Sequence, residues 1–316
     1  MHELEATSKK TKEKSRPPPK NRGMTSNNNG ASSKIGLVME GGAMRGMFTA
    51  GVLDVFMEAK LTFQGAVGVS AGAAFGCNIK SHQIGRSIRY NKKYCQNKDY
   101  VSLRSWLLTG DLYNADFSYN KIPYELDPFD VATFRADPMD FYVVCTDMDT
   151  GLPVYHNCLK GDPEDIQWLR ASASIPIFSR PVIINGQKLS DGGTSDSIPL
   201  QFMESKGYAR NVVILTQPAG FVKERMKHFW LAKIFLRKYP ALLETLSRRP
   251  QMYNEERQYV EKRAQEGQVF VIKPPEPLGV GSVEHNPDEL ERVYQIGRRT
   301  AEANLEELKC FLSLLL

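Results

Sequence analysis

From Lys34 onward the chain alternates between short, continuous apolar runs and longer stretches with helical spacing. Ile35-Gly36-Leu37-Val38-Met39 is the first run and stops at Gly41-Gly42. Gln64 to Val69 is the second. Runs that are apolar at every position, not at alternate ones, predict strands buried on both faces. Between these two, Phe48, Val52, Val55, Phe56 and Ala59 recur at close to helical spacing, which predicts a helix over 45–59. Ala71 to Cys77 is rich in small residues, as a helix packed close to a sheet would be. The same reasoning predicts strands at 141–146, 153–156, 181–184, 211–216 and 268–272. It predicts helices at 82–97, 163–173, 199–206, 226–247, 251–266 and 288–312. Strands alternating with helices indicate an α/β chain, a three-layer α/β/α arrangement around a mostly parallel sheet. With no long linker after residue 34, one domain is expected over 35–316: core motifs in 35–216, then a largely helical region, 223–316.

Composition narrows the class. Of 316 residues, 41% are hydrophobic and 24% charged, a globular balance that excludes whole-chain disorder. No apolar run approaches the roughly 18–20 residues of a membrane span. The net charge of +5 is concentrated at one end. Residues 1–34 hold eight Lys or Arg against three Glu, with Pro17-Pro18-Pro19 and Asn27-Asn28-Asn29. They are expected to be a disordered basic tail, either a solvated extension or a weak tether to anionic lipid. The remainder is formally neutral, so no nucleic-acid partner is expected. Five scattered cysteines without a C-x-x-C pair suggest neither a disulfide framework nor a zinc site, and fit a reducing cytoplasm. With five scattered histidines, no metal centre is expected.

Three segments carry candidate chemistry. Gly68-Val69-Ser70-Ala71-Gly72 matches G-x-S-x-G between an expected strand and an expected helix. A tight turn there projects the Ser70 hydroxyl above the sheet, flanking glycines avoid clashes, and the helix N-terminus offers unpaired N–H groups. The plainer reading is a small-residue turn with a capping serine. Gly41-Gly42-Ala43-Met44-Arg45-Gly46 also joins a strand to a helix. It fails as a phosphate loop, because Met47 stands where Lys is needed. As a dinucleotide motif it has Ala43 where a glycine should admit the pyrophosphate. As an oxyanion hole, its successive backbone N–H groups would face a carbonyl oxygen. The third segment, Asp191-Gly192-Gly193, can hold a carboxylate rigidly, although Asp-Gly-Gly is also an ordinary turn. A Ser–His–Asp arrangement would draw on His228 or His285, and neither has a glycine-rich supporting context.

Taken in order, Glu40 to Gly46, Gly68 to Gly72 and Asp191-Gly192-Gly193 resemble the three motifs of the patatin-like phospholipases: G-G-G-x-R-G, G-x-S-x-G and D-G-G/A. Ala171-Ser172-Ala173-Ser174-Ile175-Pro176 and Pro199 also fit that family's pattern, and the closest likeness is to its small bacterial members. The resemblance implies a serine lipid acyl hydrolase of phospholipase A or esterase type that needs no metal or organic cofactor. Ser70 would be the nucleophile and Asp191 the base. Gly41, Gly42 and Ala43 would supply oxyanion donors, and Arg45, Gly46, Gly68, Gly72, Gly192 and Gly193 would support them. Ala43 departs from the pattern, standing in place of a third glycine. If that position needs a positive φ, alanine carries strain.

Residues 223–249 interleave Lys and Arg with Phe229, Trp230, Leu231, Ile234 and Phe235. Such a segment can lie in a membrane interface, cover an acyl-binding cleft or pack on the core. The expected partner is an acyl lipid or phospholipid, met in the cytoplasm or peripherally at the inner membrane surface, with oligomeric state unassigned. The alternatives are an α/β-hydrolase with a Ser–Asp–His triad, a non-catalytic lipid-binding or regulatory protein, and, more distantly, a nicotinamide-binding protein.

Overall fold

A computed structural model describes residues 34–101, 106 and 110–313. The expectation of a disordered tail falls, apart from Lys34, outside the described residues. The apolar runs become an eight-stranded sheet in the order β5-β6-β3-β2-β1-β7-β8, with β4 paired on β3. The strands are β1 (Ile35–Met39), β2 (Gly65–Val69), β3 (Asp140–Asp147), β4 (Pro153–Asn157), β5 (Val182–Ile184), β6 (Gln187–Asp191), β7 (Arg210–Ile214) and β8 (Val269–Ile272). The pairs β1–β2, β1–β7, β2–β3 and β7–β8 are parallel, which gives the expected mostly parallel α/β sheet.

The register around β3 brings the two candidate motifs together. β4 pairs with β3 over Tyr142–Thr146 and so occupies one edge of that strand. β2 must use the other edge, where it runs parallel as far as Val69 opposite Val144. β6 uses the same edge from the opposite direction, with Asp191 opposite Cys145. Two strands therefore meet end to end in one lane of the sheet. Ser70 leaves the top of one just where Asp191 ends the other.

The β5–β6 hairpin supplies that second strand. Its turn, Asn185-Gly186, has φ of 49° and 81°, as a two-residue hairpin turn requires. The expected strand over 181–184 did not extend to Leu189–Asp191. In the structure these residues are strand, followed by a 3-10 turn over Gly192–Thr194.

Helices cover both faces. They are α1 (Gly46–Glu58), α2 (Ala71–Lys80), α3 (Arg86–Tyr94), α4 (Val131–Ala136), α5 (Pro163–Ser172), α6 (Leu200–Ser205), α7 (Phe229–Phe235), α8 (Pro240–Gln265), α9 (Pro287–Ala303) and α10 (Leu305–Ser313). α1 is buried from Gly46 to Phe56 because it is covered a second time, by α9. The two helices touch at glycines. A Cβ on Gly51 would lie 2.1 Å from the Tyr294 carbonyl oxygen, and one on Gly297 would lie 2.1 Å from that of Phe48.

Several helix boundaries differ from expectation. The break expected at Arg249-Pro250 is absent, and α8 runs through Pro250 for 26 residues. An interior proline costs a helix about 3 kcal/mol. Burial of Leu242, Leu246, Tyr253 and Val260 along the same helix offsets it. The chain breaks instead after α7, and Pro240 opens α8 at a position where no N–H is needed. Asn304 divides the expected helix over 288–312 into α9 and α10. A π-helix over Phe117–Leu126, which contains Pro123, and α4 were not foreseen. Finally, α8 is tied to the segment after β6 by Glu256, which accepts from Ser197 N and Ile198 N at 3.2 and 3.1 Å. Glu256 also bonds the Asp196 carboxyl, which accepts from the Tyr155 hydroxyl at 2.6 Å.

Candidate functional site

Ser70 stands between β2 and α2 with φ 54° and ψ −120°, a conformation an L-residue adopts only when its surroundings hold it there. The turn is tight enough that a Cβ on Gly68 would lie 2.5 Å from the Gly72 carbonyl oxygen. A second restraint comes from the end of α5. Ser70 N donates to Ser172 Oγ at 2.9 Å, and that hydroxyl donates to the Val144 carbonyl at 2.6 Å. Two residues on, the Ser174 carbonyl accepts from Asp191 N at 2.8 Å. The Ala-Ser-Ala-Ser turn thus holds the backbone of both motifs. The sequence reading noted this stretch without giving Ser172 a role.

Asp191 is buried and accepts from Gly193 N at 2.8 Å. Burial raises its pKa above the ordinary aspartate value. A hydrogen bond from the Ser70 side chain, then the charge of Arg249, the Gly193 N–H and the charge of Lys223, pull it back down. Arg249 Nε donates to the Gly193 carbonyl, so it also fixes the turn. Sequence analysis placed Lys223 and Arg249 within the basic, apolar-interleaved segment 223–249 and gave neither a role at the site. The packing of α8 against the Gly192–Thr194 turn brings Arg249 to the carboxylate, and Lys223, which precedes α7, is tied to α8 by its N–H donating to Asn254 Oδ1 at 2.8 Å.

The loop over 40–46 lies beside Ser70. A Cβ on Gly41 would lie 3.1 Å from the Ser70 Cβ and 3.0 Å from the Val69 carbonyl oxygen, a fit that a larger residue could make only if its neighbours shifted. Glu40 anchors the loop from below, accepting from Thr216 N at 2.6 Å and from the Tyr253 hydroxyl at 2.7 Å. Thr216 Oγ1 donates to the Gly41 carbonyl at 3.1 Å, and Arg45 N donates to that of Gly42 at 3.1 Å. Ala43 has φ 48°, the strained case anticipated for alanine at that position. An L-residue there costs roughly 1–2 kcal/mol. Gly46 begins α1 against Ala71 and Phe75.

Two cavities meet at Ser70. One is an open cleft of about 630 Å³ that contains Gly41, Gly42, Ala43, Arg45, Asp191 and Gly193. Lys223, Lys227 and Arg249 make it basic. Burial, and then the charge of Arg249, push the Lys223 pKa down to about 8. Arg45 Nε is buried and has no hydrogen-bond partner among the described residues. Phe178, Met226 and Phe235 line the same cleft and are themselves solvent-exposed, and Trp230 and Ile234 on α7 are each 58% exposed. The other cavity, about 130 Å³, runs inward beside α2.

Of the two candidate imidazoles, His228 lines the cleft, whereas His285 bonds the Cys95 carbonyl through Nδ1 at 2.6 Å. Among the described residues, no histidine is hydrogen-bonded to Ser70 or Asp191. Elsewhere the fold gathers His156, Cys158 and Asp165, whose ligand atoms lie within 4.8 Å of one another. The Asp165 oxygens there already accept from Lys160 N and Gly161 N at 2.8 Å and face His156 Nε2 at 3.0 Å. Among the described residues, no helix is long and apolar enough to cross a membrane.

Comparison with known proteins places the chain in a family. The family model described as "Patatin-like phospholipase" matches residues 37–203, and a domain of unknown function, DUF6363, matches residues 239–313. The uncharacterized protein YjjU of Escherichia coli (strain K12) is 31% identical over 280 residues, covering 84% of this chain and 75% of YjjU. Among solved structures, VipD from Legionella pneumophila matches at TM-score 0.44 and 14% identity, over 87% of this chain and 67% of VipD. The type III effector protein ExoU matches at TM-score 0.38 and 10% identity over 87% of this chain, which spans about half (53%) of that protein.

Proposed function

Because the chain belongs to the patatin-like phospholipase family, a family of lipid acyl hydrolases, we propose that it cleaves carboxylic esters of acyl lipids with Ser70 as nucleophile and Asp191 as general base. The observation that carries this reading is the lane beside β3, in which the elbow and the aspartate turn meet head to head.

The Ser70 hydroxyl attacks the ester carbonyl carbon and gives its proton to Asp191, forming a tetrahedral oxyanion. The Ser70 N–H is committed to Ser172, so oxyanion donors come from Gly41, Gly42 and Ala43 and from the first N–H groups of α2. Collapse expels the alcohol, which takes the proton from Asp191, and leaves an acyl-Ser70 ester. Water then attacks as Asp191 accepts its proton, and collapse breaks the acyl–Ser70 bond, Asp191 returning that proton to the Ser70 oxygen as the carboxylic acid leaves. Burial makes Asp191 a stronger base than a solvated aspartate, which lets it serve without an imidazole.

The basic cleft suits a leaving group that bears phosphate, since Arg45, Lys223, Lys227 and Arg249 outnumber its carboxylates, Glu40 and Asp191. Phe178, Met226, Trp230, Ile234 and Phe235 around its mouth, with Lys227 and Lys233 beside them, support peripheral docking on an anionic lipid surface.

Hydrolysis of p-nitrophenyl esters, with Ser70→Ala and Asp191→Asn as variants, tests the reading. Both should abolish turnover and leave the fold intact, and a fluorophosphonate should label the native protein at Ser70. Full activity in Asp191→Asn would refute the dyad. The position of His228 in the cleft favours one second reading, a triad. His228→Ala should retain activity, and its loss in a folded variant would favour the triad.

A further inference from the structure

The loop over 40–46 and the aspartate turn are both tied to one helix, α8, which lies in the stretch matching the domain of unknown function. We infer that this stretch completes the active site: α8 is a bracket on which Arg249 positions the Asp191 turn and Tyr253 positions the loop over 40–46. The inference rests on the hydrolase reading above and adds two positioning residues to it.

The spacing along α8 makes the bracket possible. Arg249, Tyr253, Glu256 and Arg257 follow one another at steps that keep them on one face of a helix. From Arg249 to Arg257 that face is about 12 Å long, at a rise of 1.5 Å per residue. Each of the four side chains reaches a segment of the site. Arg249 Nε donates to the Gly193 carbonyl. The Tyr253 hydroxyl donates to Glu40 Oε1 at 2.7 Å. Glu256 accepts from Ser197 N and Ile198 N. Arg257 Nη2 donates to the Pro218 carbonyl at 2.8 Å, two residues beyond the Thr216 N–H that also holds Glu40.

The two segments have no direct link of their own. They leave different strands, β1 and β6, and among the described residues no hydrogen bond joins 40–46 to 191–194. Each is held where its aim is set. Gly193 N donates to Asp191 Oδ1, while the Gly193 carbonyl accepts from Arg249 and, at 2.8 Å, from the Ser197 hydroxyl. Glu40 directly precedes Gly41 and Gly42, so fixing its carboxylate fixes the root of the loop. Arg249 also acts on Asp191 through its charge, which favours the ionised carboxylate. A helix serving only as core packing would present apolar side chains here; α8 presents four polar ones, of which Tyr253 and Arg257 are buried.

Steady-state ester hydrolysis on the pH plateau tests the bracket. Arg249→Met should lower kcat about ten- to hundredfold, the scale of a misplaced catalytic group, with KM changed less than about threefold. Its acid limb should move to higher pH, because a cation beside Asp191 is lost. Arg249→Lys retains the charge and should retain the native limb. Tyr253→Phe keeps the ring, removes the donor to Glu40 and should lower kcat about tenfold. Gln258→Ala, at an exposed position of the same helix, should match the native protein throughout. A kcat within about twofold of native in either Arg249→Met or Tyr253→Phe, or an unmoved acid limb in Arg249→Met, would overturn the inference. So would an equal loss in Gln258→Ala, which would mean that any change in α8 acts through general destabilisation.

Amide hydrogen exchange gives a readout independent of catalysis. Exchange should quicken over 191–197 in Arg249→Met and over 40–46 in Tyr253→Phe, each without the other. If exchange responds in this way but the native protein hydrolyses no ester, the hydrolase reading fails and the bracket stands. If hydrolysis depends on Ser70 but exchange is native in both variants, the bracket fails and the hydrolase reading stands.

Discussion

Ser172→Ala probes the restraint on Ser70 most directly. The fully buried Ser172 hydroxyl accepts from Ser70 N at 2.9 Å, and alanine fills nearly the same space without replacing that acceptor. A buried N–H left without a partner costs about 1–3 kcal/mol. For a domain somewhat larger than 150–250 residues, where each kcal/mol moves Tm by about 2–4 °C, a fall of roughly 3–10 °C is expected. The catalytic effect is separate. Holding Ser70 at φ 54° stores strain of about 1–3 kcal/mol, and the Ser172 bond helps to maintain it. If the strain relaxes, the reactive conformer becomes the minor one. With 1.36 kcal/mol per factor of ten, kcat should fall about five- to hundredfold. Thermal unfolding and steady-state ester hydrolysis measure the two effects on one preparation. A lower Tm with unchanged kcat would mean that Ser70 keeps its geometry without Ser172. If neither changed, the bond itself would be in error.

Two further outcomes follow from charge. Lys223→Met removes a cation that lowers the Asp191 pKa. That pKa should rise further, and because the proposed mechanism needs Asp191 ionised, the acid limb of the kcat/KM profile should move to higher pH; an unmoved limb would place Lys223 outside electrostatic reach of Asp191. The second concerns Glu256, which burial and then the neighbouring Asp196 charge push up to about 9. Its folded pKa lies above its unfolded value of roughly 4.3, so its contribution to stability is complete below that value and is lost as pH rises toward 9. Glu256→Gln can keep the acceptor for Ser197 N and Ile198 N, so stability measured by urea unfolding should decline less between pH 5 and about 9; an identical decline would show that the pair does not control it.

The strand runs, the elbow and the glycine loop were legible because each rests on local rules: continuous apolar residues, small residues at a tight turn, glycines where backbone approaches backbone. Ala43 was legible as a conditional, and its φ of 48° fulfils the condition. What the sequence hid was non-local. β6 is hard to see because Gln187-Lys188-Leu189-Ser190-Asp191 is mostly polar and becomes strand only by pairing with β3 and β5. Lys223 and Arg249 could not be assigned to the site because nothing nearby in sequence shows that α8 packs on the aspartate turn. Pro250 misled for a different reason: its local penalty was real, but burial along α8 outweighed it.

The contact of α1 with α9 bears on the timing of synthesis. α1 follows the first strand, whereas the glycine on which it rests, Gly297, is made near the end of the chain. A nascent chain that has completed Ser70 and Asp191 therefore still exposes one face of α1. The stretch matching the phospholipase family cannot finish its core until the stretch matching the domain of unknown function has left the ribosome. The two matches are in this sense halves of one folding unit. A chain cut short before α9 would carry both candidate active-site residues on a molecule with an open hydrophobic flank, a target for chaperones and proteases.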